Sequence, residues 1–173
     1  MGKIILNLAI SLDGFIADEH GGVDWLNDFL KPGDDYGMNA FFKQCGTAIM
    51  GSKTYEQALS FNSWFEGMDG IVFTSRQLPL LKNKPIKFVK GDPTPIVEEL
   101  RKKEKDSWLV GGGVLIADFI NHHLIDEFII TIVPRLLGRG LPLCPSIDKI
   151  SKLQLLDSKI HQEGVLQLKY NFS

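Results

Sequence analysis

Cysteine is scarce in this chain of 173 residues: Cys45 and Cys144 stand far apart, and neither has the paired Cys/His spacing of a ligand set. That excludes a disulfide framework, an iron–sulfur cluster and a zinc site, and leaves two ordinary thiols of a reducing compartment. An excess of charge of one sign is missing too. The chain has 19 Lys and Arg against 21 Asp and Glu, a formal net charge of −2 and a pI of about 6.1, so no basic field draws it to nucleic acid. Apolar runs are short. None reaches the roughly 18 residues of a membrane span, and Asn7 interrupts the opening Ile4-Ile5-Leu6 too early for a signal segment. No Gly-x-Gly-x-x-Gly follows the first apolar run, and no Gly-x-x-x-x-Gly-Lys-Ser/Thr is present. These two gaps disfavour an ordinary Rossmann dehydrogenase and a P-loop kinase. What remains is a soluble, cytoplasmic protein acting on a small molecule, without metal, nucleic acid or membrane.

What is present suits one compact domain over residues 1–173, whose 44% hydrophobic content supports a core without staples. A buried strand is predicted over 3–10, broken by Ser11-Leu12-Asp13-Gly14. Residues 17–37 read as a long loop with one helical turn at Val23-Asp24-Trp25-Leu26, and loops of that length border sites. A short helix over 36–44 leads into a strand over 47–50, after which Gly51-Ser52-Lys53-Thr54 opens a second helix. Short strands follow at 70–74 and 86–89, then a helix over 94–102 with Pro95 in its first turn. The most regular unit is a strand over 107–110, the turn Gly111-Gly112-Gly113 and an apolar helix over 114–121. A strand over 127–133 and a hairpin of 153–160 with 165–172 complete the chain. The sum is an α/β fold: a mixed, mostly parallel sheet of about eight strands, flanking helices and a C-terminal β-hairpin.

In such sheets the ligand crevice lies beyond the carboxyl ends of the strands. Small and polar residues collect there: Gly51-Ser52-Lys53-Thr54, Thr74-Ser75-Arg76 and Gly111-Gly112-Gly113. Glycines let a phosphate approach the backbone, and the helix that follows offers it unpaired N–H groups and a positive dipole end. A triple glycine serves equally as a tight turn packing helix on strand. Lys53 and Arg76 add cations that suit a dinucleotide bearing a 2′-phosphate, or else are solvated surface charges.

The order of these motifs resembles a known family. Ser11-Leu12-Asp13-Gly14-Phe15-Ile16-Ala17 is similar to the first-strand exit of riboflavin-biosynthesis reductase domains and their dihydrofolate-reductase-like relatives. Ile49-Met50-Gly51-Ser52-Lys53-Thr54-Tyr55 resembles the second-strand signature of dihydrofolate reductases, and Trp108-Leu109-Val110-Gly111-Gly112-Gly113 their cofactor-binding glycine turn. Leu124-Ile125-Asp126-Glu127 and Pro134-x-x-Leu137-Gly138-x-Gly140-x-Pro142-Leu143 resemble the riboflavin-type branch. The resemblance implies a stand-alone member of that branch, with the dihydrofolate-reductase-like three-layer fold.

It also implies NADPH across the sheet. Ala9 and Ile10 would lie beside the nicotinamide, and Gly51, Ser52, Lys53 and Thr54 at phosphates. Thr74, Ser75 and Arg76 would lie near the adenosine 2′-phosphate, and Gly111, Gly112, Gly113, Val114 and Leu115 around the pyrophosphate. A homodimer is implied as well. The apolar strand 128–133 is a candidate interface or else a central strand.

One departure matters. Dihydrofolate reductases place an acid in the helix before the second strand, where this chain has Met38, four residues ahead of Phe42. Asp24, Asp34 and Asp35 are candidate replacements or plain loop carboxylates. Asp13, Asp24 and Glu127 are the catalytic candidates, with water as the other proton source. Asp13 is also suited to bonding amides in its own turn, and Glu127 to a strand terminus. Trp25, Phe42 and Thr131 are candidates for holding a planar substrate, although Trp and Phe serve equally in a core. His20, His122 and His161 show no partner spacing. The expected reaction is hydride transfer to a pterin, an aminopyrimidine riboside or a simple C=O or C=N compound. The alternatives are a catalytically silent nucleotide- or pterin-binding protein and, behind it, a phosphate-binding transferase.

Overall fold

The computed structural model describes residues 1–30, 33–61 and 64–173, so the proline at 32 in the predicted loop lies outside the described residues. In chain order the elements are β1 (Ile4–Ser11), β2 (Phe15–Ala17), α1 (Met38–Gln44), β3 (Cys45–Gly51), α2 (Ser52–Ser60), β4 (Asp69–Phe73) and β5 (Ile86–Val89). They continue with α3 (Thr94–Arg101), β6 (Asp106–Gly111), α4 (Gly113–Asn121), β7 (Glu127–Val133), β8 (Leu141–Pro142), β9 (Leu153–Ile160) and β10 (Leu166–Phe172). A 3₁₀ turn, Asp24–Phe29, supplies the helical turn expected in the long loop.

Eight strands form one sheet in the order β5-β4-β3-β6-β1-β7-β10-β9. The first six run parallel, and β10 runs antiparallel to both β7 and β9. The mixed, mostly parallel sheet and its terminal hairpin are as the sequence reading has them. The small ribbon of β2 and β8 is an addition; two residues of β8 carry too little pattern to be recognised in advance.

Parallel strands covered on both faces lose the alternation of an amphipathic sheet and become continuous apolar runs. Ile4, Ile5 and Leu6 are all fully buried for that reason, yet they serve different layers, because successive side chains leave opposite faces. Ile4 and Leu6 pack with Leu100, Leu109, Ile116 and Phe119 under α3 and α4. Ile5 packs with Phe41, Met50, Tyr55 and Trp108 under α1 and α2. Each large apolar side chain so buried contributes about 1.5–3 kcal/mol. Cys45 lies in the second layer, where burial pushes its thiol up to about 12. Strand β7 is central, with β1 on one side and β10 on the other; strand-to-strand pairing through 128–133 would have to break one of those ladders. The parallel strands β4, β3, β6, β1 and β7 all end on one rim. Among the described residues no helix is long and apolar enough to cross a membrane.

Candidate functional site

The centre of the rim is a corner made of backbone. A Cβ built on Gly51 would lie 3.9 Å from both the Gly111 carbonyl oxygen and the Gly112 nitrogen. One built on Gly112 would lie 3.7 Å from Thr54 Oγ1. The ends of β3 and β6 therefore meet backbone to backbone, and a methyl at either glycine would sit in ordinary van der Waals contact with the other strand or with Thr54. Gly111 has φ +130°, a conformation L side chains rarely adopt, and the Gly111–Gly112 peptide is cis. Gly51 and Gly112 are the residues preceding α2 and α4, and among the described residues neither helix has a side-chain cap. Two sets of unpaired first-turn N–H groups thus border one corner, the arrangement that suits a phosphate or pyrophosphate.

Gly113 has a different duty. A Cβ there would fall 2.7 Å from the Pro142 carbonyl oxygen, so its lack of a side chain admits the β8 segment over the start of α4. Val114 is 78% exposed in the first turn of α4, whereas Leu115 is buried in the core. Both were expected around the pyrophosphate, and their side chains leave the first turn in different directions, Val114 to solvent and Leu115 to the core.

Thr74, Ser75 and Arg76 leave β4 one strand beyond the corner, since Phe73 pairs with Gly51. The Thr74 hydroxyl accepts the Arg76 backbone N–H at 2.9 Å. The guanidinium forks onto Glu56 of α2 at 3.1 and 2.7 Å. Its hydrogen bond holds the Glu56 carboxyl below the usual range, while Glu56 raises Arg76. Ser52 and Lys53 open α2, and Lys53 is exposed.

On the other side of the corner, Ala9 and Ile10 are half-buried near the exit of β1, and Ala9 pairs with Thr131. The Thr131 hydroxyl accepts a hydrogen bond from Gln167 Nε2 at 3.1 Å. The same amide nitrogen donates to the Tyr36 carbonyl at 3.1 Å. Below Ala9 on that face, Asn7 is buried, and its Nδ2 donates to the Met38 sulfur at 3.6 Å. A thioether therefore occupies the place where a carboxylate was sought.

The loop carboxylates that might have replaced it are engaged elsewhere. Asp34 Oδ2 lies 2.7 Å from His161 Nδ1, and Asp34 Oδ1 accepts the Tyr36 N–H at 2.8 Å. The hydrogen bond with His161, followed by that from Tyr36, keeps Asp34 below the usual carboxylate range. The His161 side chain is 1% exposed, and its Nε2 is buried without a partner among the described residues. Asp35 caps α1, accepting from the Gly37 and Asn39 N–H groups at 3.0 Å each. Asp24 is exposed.

The catalytic candidates do not converge. Asp13 accepts from the Ser11 hydroxyl at 2.6 Å and from the Gly138 N–H at 2.7 Å. The bond from Ser11 leads in holding its carboxyl low, so Asp13 is an ionised anchor between two loops. Glu127 begins β7, four residues before Thr131, or about 13 Å along the strand. There its 8%-exposed carboxylate lies 2.8 Å from Lys169 and 3.6 Å from Lys3, at the opposite end of the sheet from the rim. Phe42 stacks beside Phe65 and Trp108 in the aromatic core. Trp25 is half-buried in the 3₁₀ turn, and its Nε1 is buried without a partner among the described residues.

The residues sequence reasoning missed are Gln167, Tyr36 and His161. Their partners lie 131, 131 and 127 positions away, so no local spacing could have found them.

Comparison with known proteins agrees with this architecture. The family model of the RibD C-terminal domain matches residues 2–167. The uncharacterized protein YwjB of Bacillus subtilis is 36% identical over 171 residues, covering 97% of each chain. A solved structure of a Shewanella sp. PV-4 protein assigned to riboflavin biosynthesis superposes with TM-score 0.88 at 30% identity, covering 99% of both chains. Dihydrofolate reductase from Enterococcus faecalis, complexed with NADP(H) and RAB-propyl, shares the fold at TM-score 0.68 and 18% identity, covering 99% of this chain and 97% of that one. A match over nearly the whole length, on a sheet whose glycine corner lies between the β4 exit and the Ala9–Thr131 row, places the chain in the RibD C-terminal domain family.

Proposed function

We propose that this chain is an NADPH-dependent reductase that passes a hydride to a small planar heterocycle or to a C=O or C=N group. The observation that carries the proposal is the sequence of features along one rim. Cationic β4 exit, glycine corner, Ala9 and then Thr131 follow in the order of the strands β4, β3, β6, β1 and β7. A dinucleotide laid across them would have its adenosine half at Thr74–Arg76, its pyrophosphate at Gly51 and Gly111–Gly112, and its nicotinamide at Ala9 and Ile10. The corner fits that group, because no side chain stands between a ligand and the backbone at Gly51 and Gly112, and two helices without a side-chain cap among the described residues border it. The Enterococcus relative, which holds NADP(H), supports the same choice of cofactor.

When bound, the nicotinamide supplies the hydride. The chain's own residues bind and orient. Backbone N–H groups at the starts of α2 and α4 hold the phosphates, and Lys53 adds a cation. Thr131 and Gln167 present a neutral polar wall beside Ala9. Trp25 is the candidate apolar cover for the substrate ring. Asp13 is tied to Ser11 and Gly138, and Glu127 is a strand's length away, which leaves water or the exposed Asp24 to supply the proton. Titration with NADPH and NADH, followed by nicotinamide fluorescence and protection against thermal unfolding, tests the reading. Absence of micromolar binding of either removes it.

A second reading, a nucleotide- or pterin-binding protein without turnover, draws support from Met38 and from the engagement of Asp34 and Asp35. It predicts cofactor binding with no oxidation of NADPH across pterins, aminopyrimidine ribosides and simple carbonyls.

We also propose a homodimer, formed through β9 instead of β7. This edge strand is exposed along its whole length and carries Leu153, Leu155, Leu156 and Ile160 in solvent, an apolar edge of the kind that associates. Light scattering on the wild type and on Leu155→Lys/Leu156→Lys distinguishes dimer from monomer.

A further inference from the structure

Arg76, the cation of the β4 exit, is already held by Glu56 at the end of the rim where the adenosine ribose would lie. Both side chains are about half exposed, and both guanidinium nitrogens that face Glu56 are engaged, at 3.1 and 2.7 Å. The turn around Arg76 is set by Thr74, and Lys53 acts on Glu56 from within the same helix. A doubly charged phosphate arriving at Arg76 meets a carboxylate already in its place. It must displace that carboxylate, and it is repelled by it as a like charge. A ribose with a free 2′-hydroxyl meets the same carboxylate as a hydrogen-bond acceptor. In dinucleotide sites generally, acids serve the hydroxyl and arginines the phosphate. Here one of each is present, and each occupies the other.

We propose that Glu56 is a coenzyme-selecting residue, which tempers the pull of Arg76 on a 2′-phosphate so that NADPH and NADH bind within about tenfold of each other. The inference rests on reading the rim as a dinucleotide site, and it concerns only the adenosine end of it. Because the pair is exposed and half of it is contributed by the second turn of α2, removing either partner leaves the core untouched.

The test is to titrate the full chain with NADPH and with NADH, reading fluorescence and thermal midpoints, for wild type, Glu56→Gln and Arg76→Gln. Glu56→Gln is expected to tighten NADPH about threefold to tenfold, while NADH stays the same or weakens. Arg76→Gln is expected to weaken NADPH by a similar factor and leave NADH alone. The gain in Glu56→Gln should shrink as salt is raised, as befits exposed charges. Three results overturn the proposal with the dinucleotide site intact: a wild-type preference for NADPH beyond about tenfold, equal effects of Glu56→Gln on both coenzymes, or weaker NADPH binding in that variant. Failure of the wild type to bind either coenzyme overturns the proposal together with the reductase reading.

Discussion

The two halves of the rim are built in different ways. From β4 to β6 the surface consists of backbone and of residues next to one another in the chain: Gly51 with Ser52–Thr54, Thr74 with Arg76, Gly111 with Gly112. From β1 to β10 it consists of side chains drawn from distant segments, with Tyr36 on Gln167 and Asp34 on His161. A corner of backbone N–H groups suits a phosphate whatever the remaining molecule is. On the proposed reading, the amide, the hydroxyl and the loop held by an imidazole–carboxylate pair would choose the ring. Coenzyme binding and substrate choice would then change independently in this chain.

The largest expected effects test the corner itself. Gly112→Ala and Gly51→Ala have negative φ and ordinary contacts, so the protein should fold normally. The added methyl should cost one phosphate hydrogen bond, about tenfold to hundredfold in NADPH affinity by fluorescence titration. Gly113→Ala should do the reverse. Its Cβ would press on the Pro142 carbonyl, so stability should fall by about 1–3 kcal/mol in urea unfolding, more than binding to the folded protein changes.

The substrate half should respond in the opposite sense. His161→Leu leaves Asp34 without its main partner. The melting temperature should drop, and amide exchange over 33–37 should accelerate, while the NADPH dissociation constant stays within about twofold. Equal damage to coenzyme binding would merge the two halves into one. The pH dependence follows from Asp34, whose folded pKa is depressed below 3.8 by His161 and Tyr36. A depressed acid contributes stability above its unfolded pKa and loses it as pH falls through the folded value. The stability difference between wild type and Asp34→Asn should therefore be constant near neutrality and shrink below about pH 4 in thermal melts. The smallest effect is expected for Lys53→Ala, an exposed cation whose loss should weaken NADPH a few-fold at low salt and less at high salt.

Most of the secondary structure was legible because β1, β3, β6 and β7 are apolar runs punctuated by glycine or proline. The hairpin over Leu153–Ile160 and Leu166–Phe172 was legible for the same reason. The two-residue strand β8 was not, nor was the contact that requires glycine at 113, since a segment about thirty residues downstream creates it. Glu127 looked as eligible as Thr131 in the sequence because both belong to one apolar strand. Only the strand's direction separates an end bearing Lys3 and Lys169 from an end at the rim. His161 had no visible partner in the sequence, yet its side chain is 1% exposed and lies against Asp34.

By itself the sequence determined the strand and helix pattern, the glycines at the strand exits and membership of a family, because each is a property of neighbouring residues and of backbone freedom. The tertiary structure alone decided which candidates share a site. Burial, ion pairing and hydrogen bonding act through space. Asp34 with His161, Thr131 with Gln167 and Glu127 with two lysines became partners only when the sheet set their strands side by side.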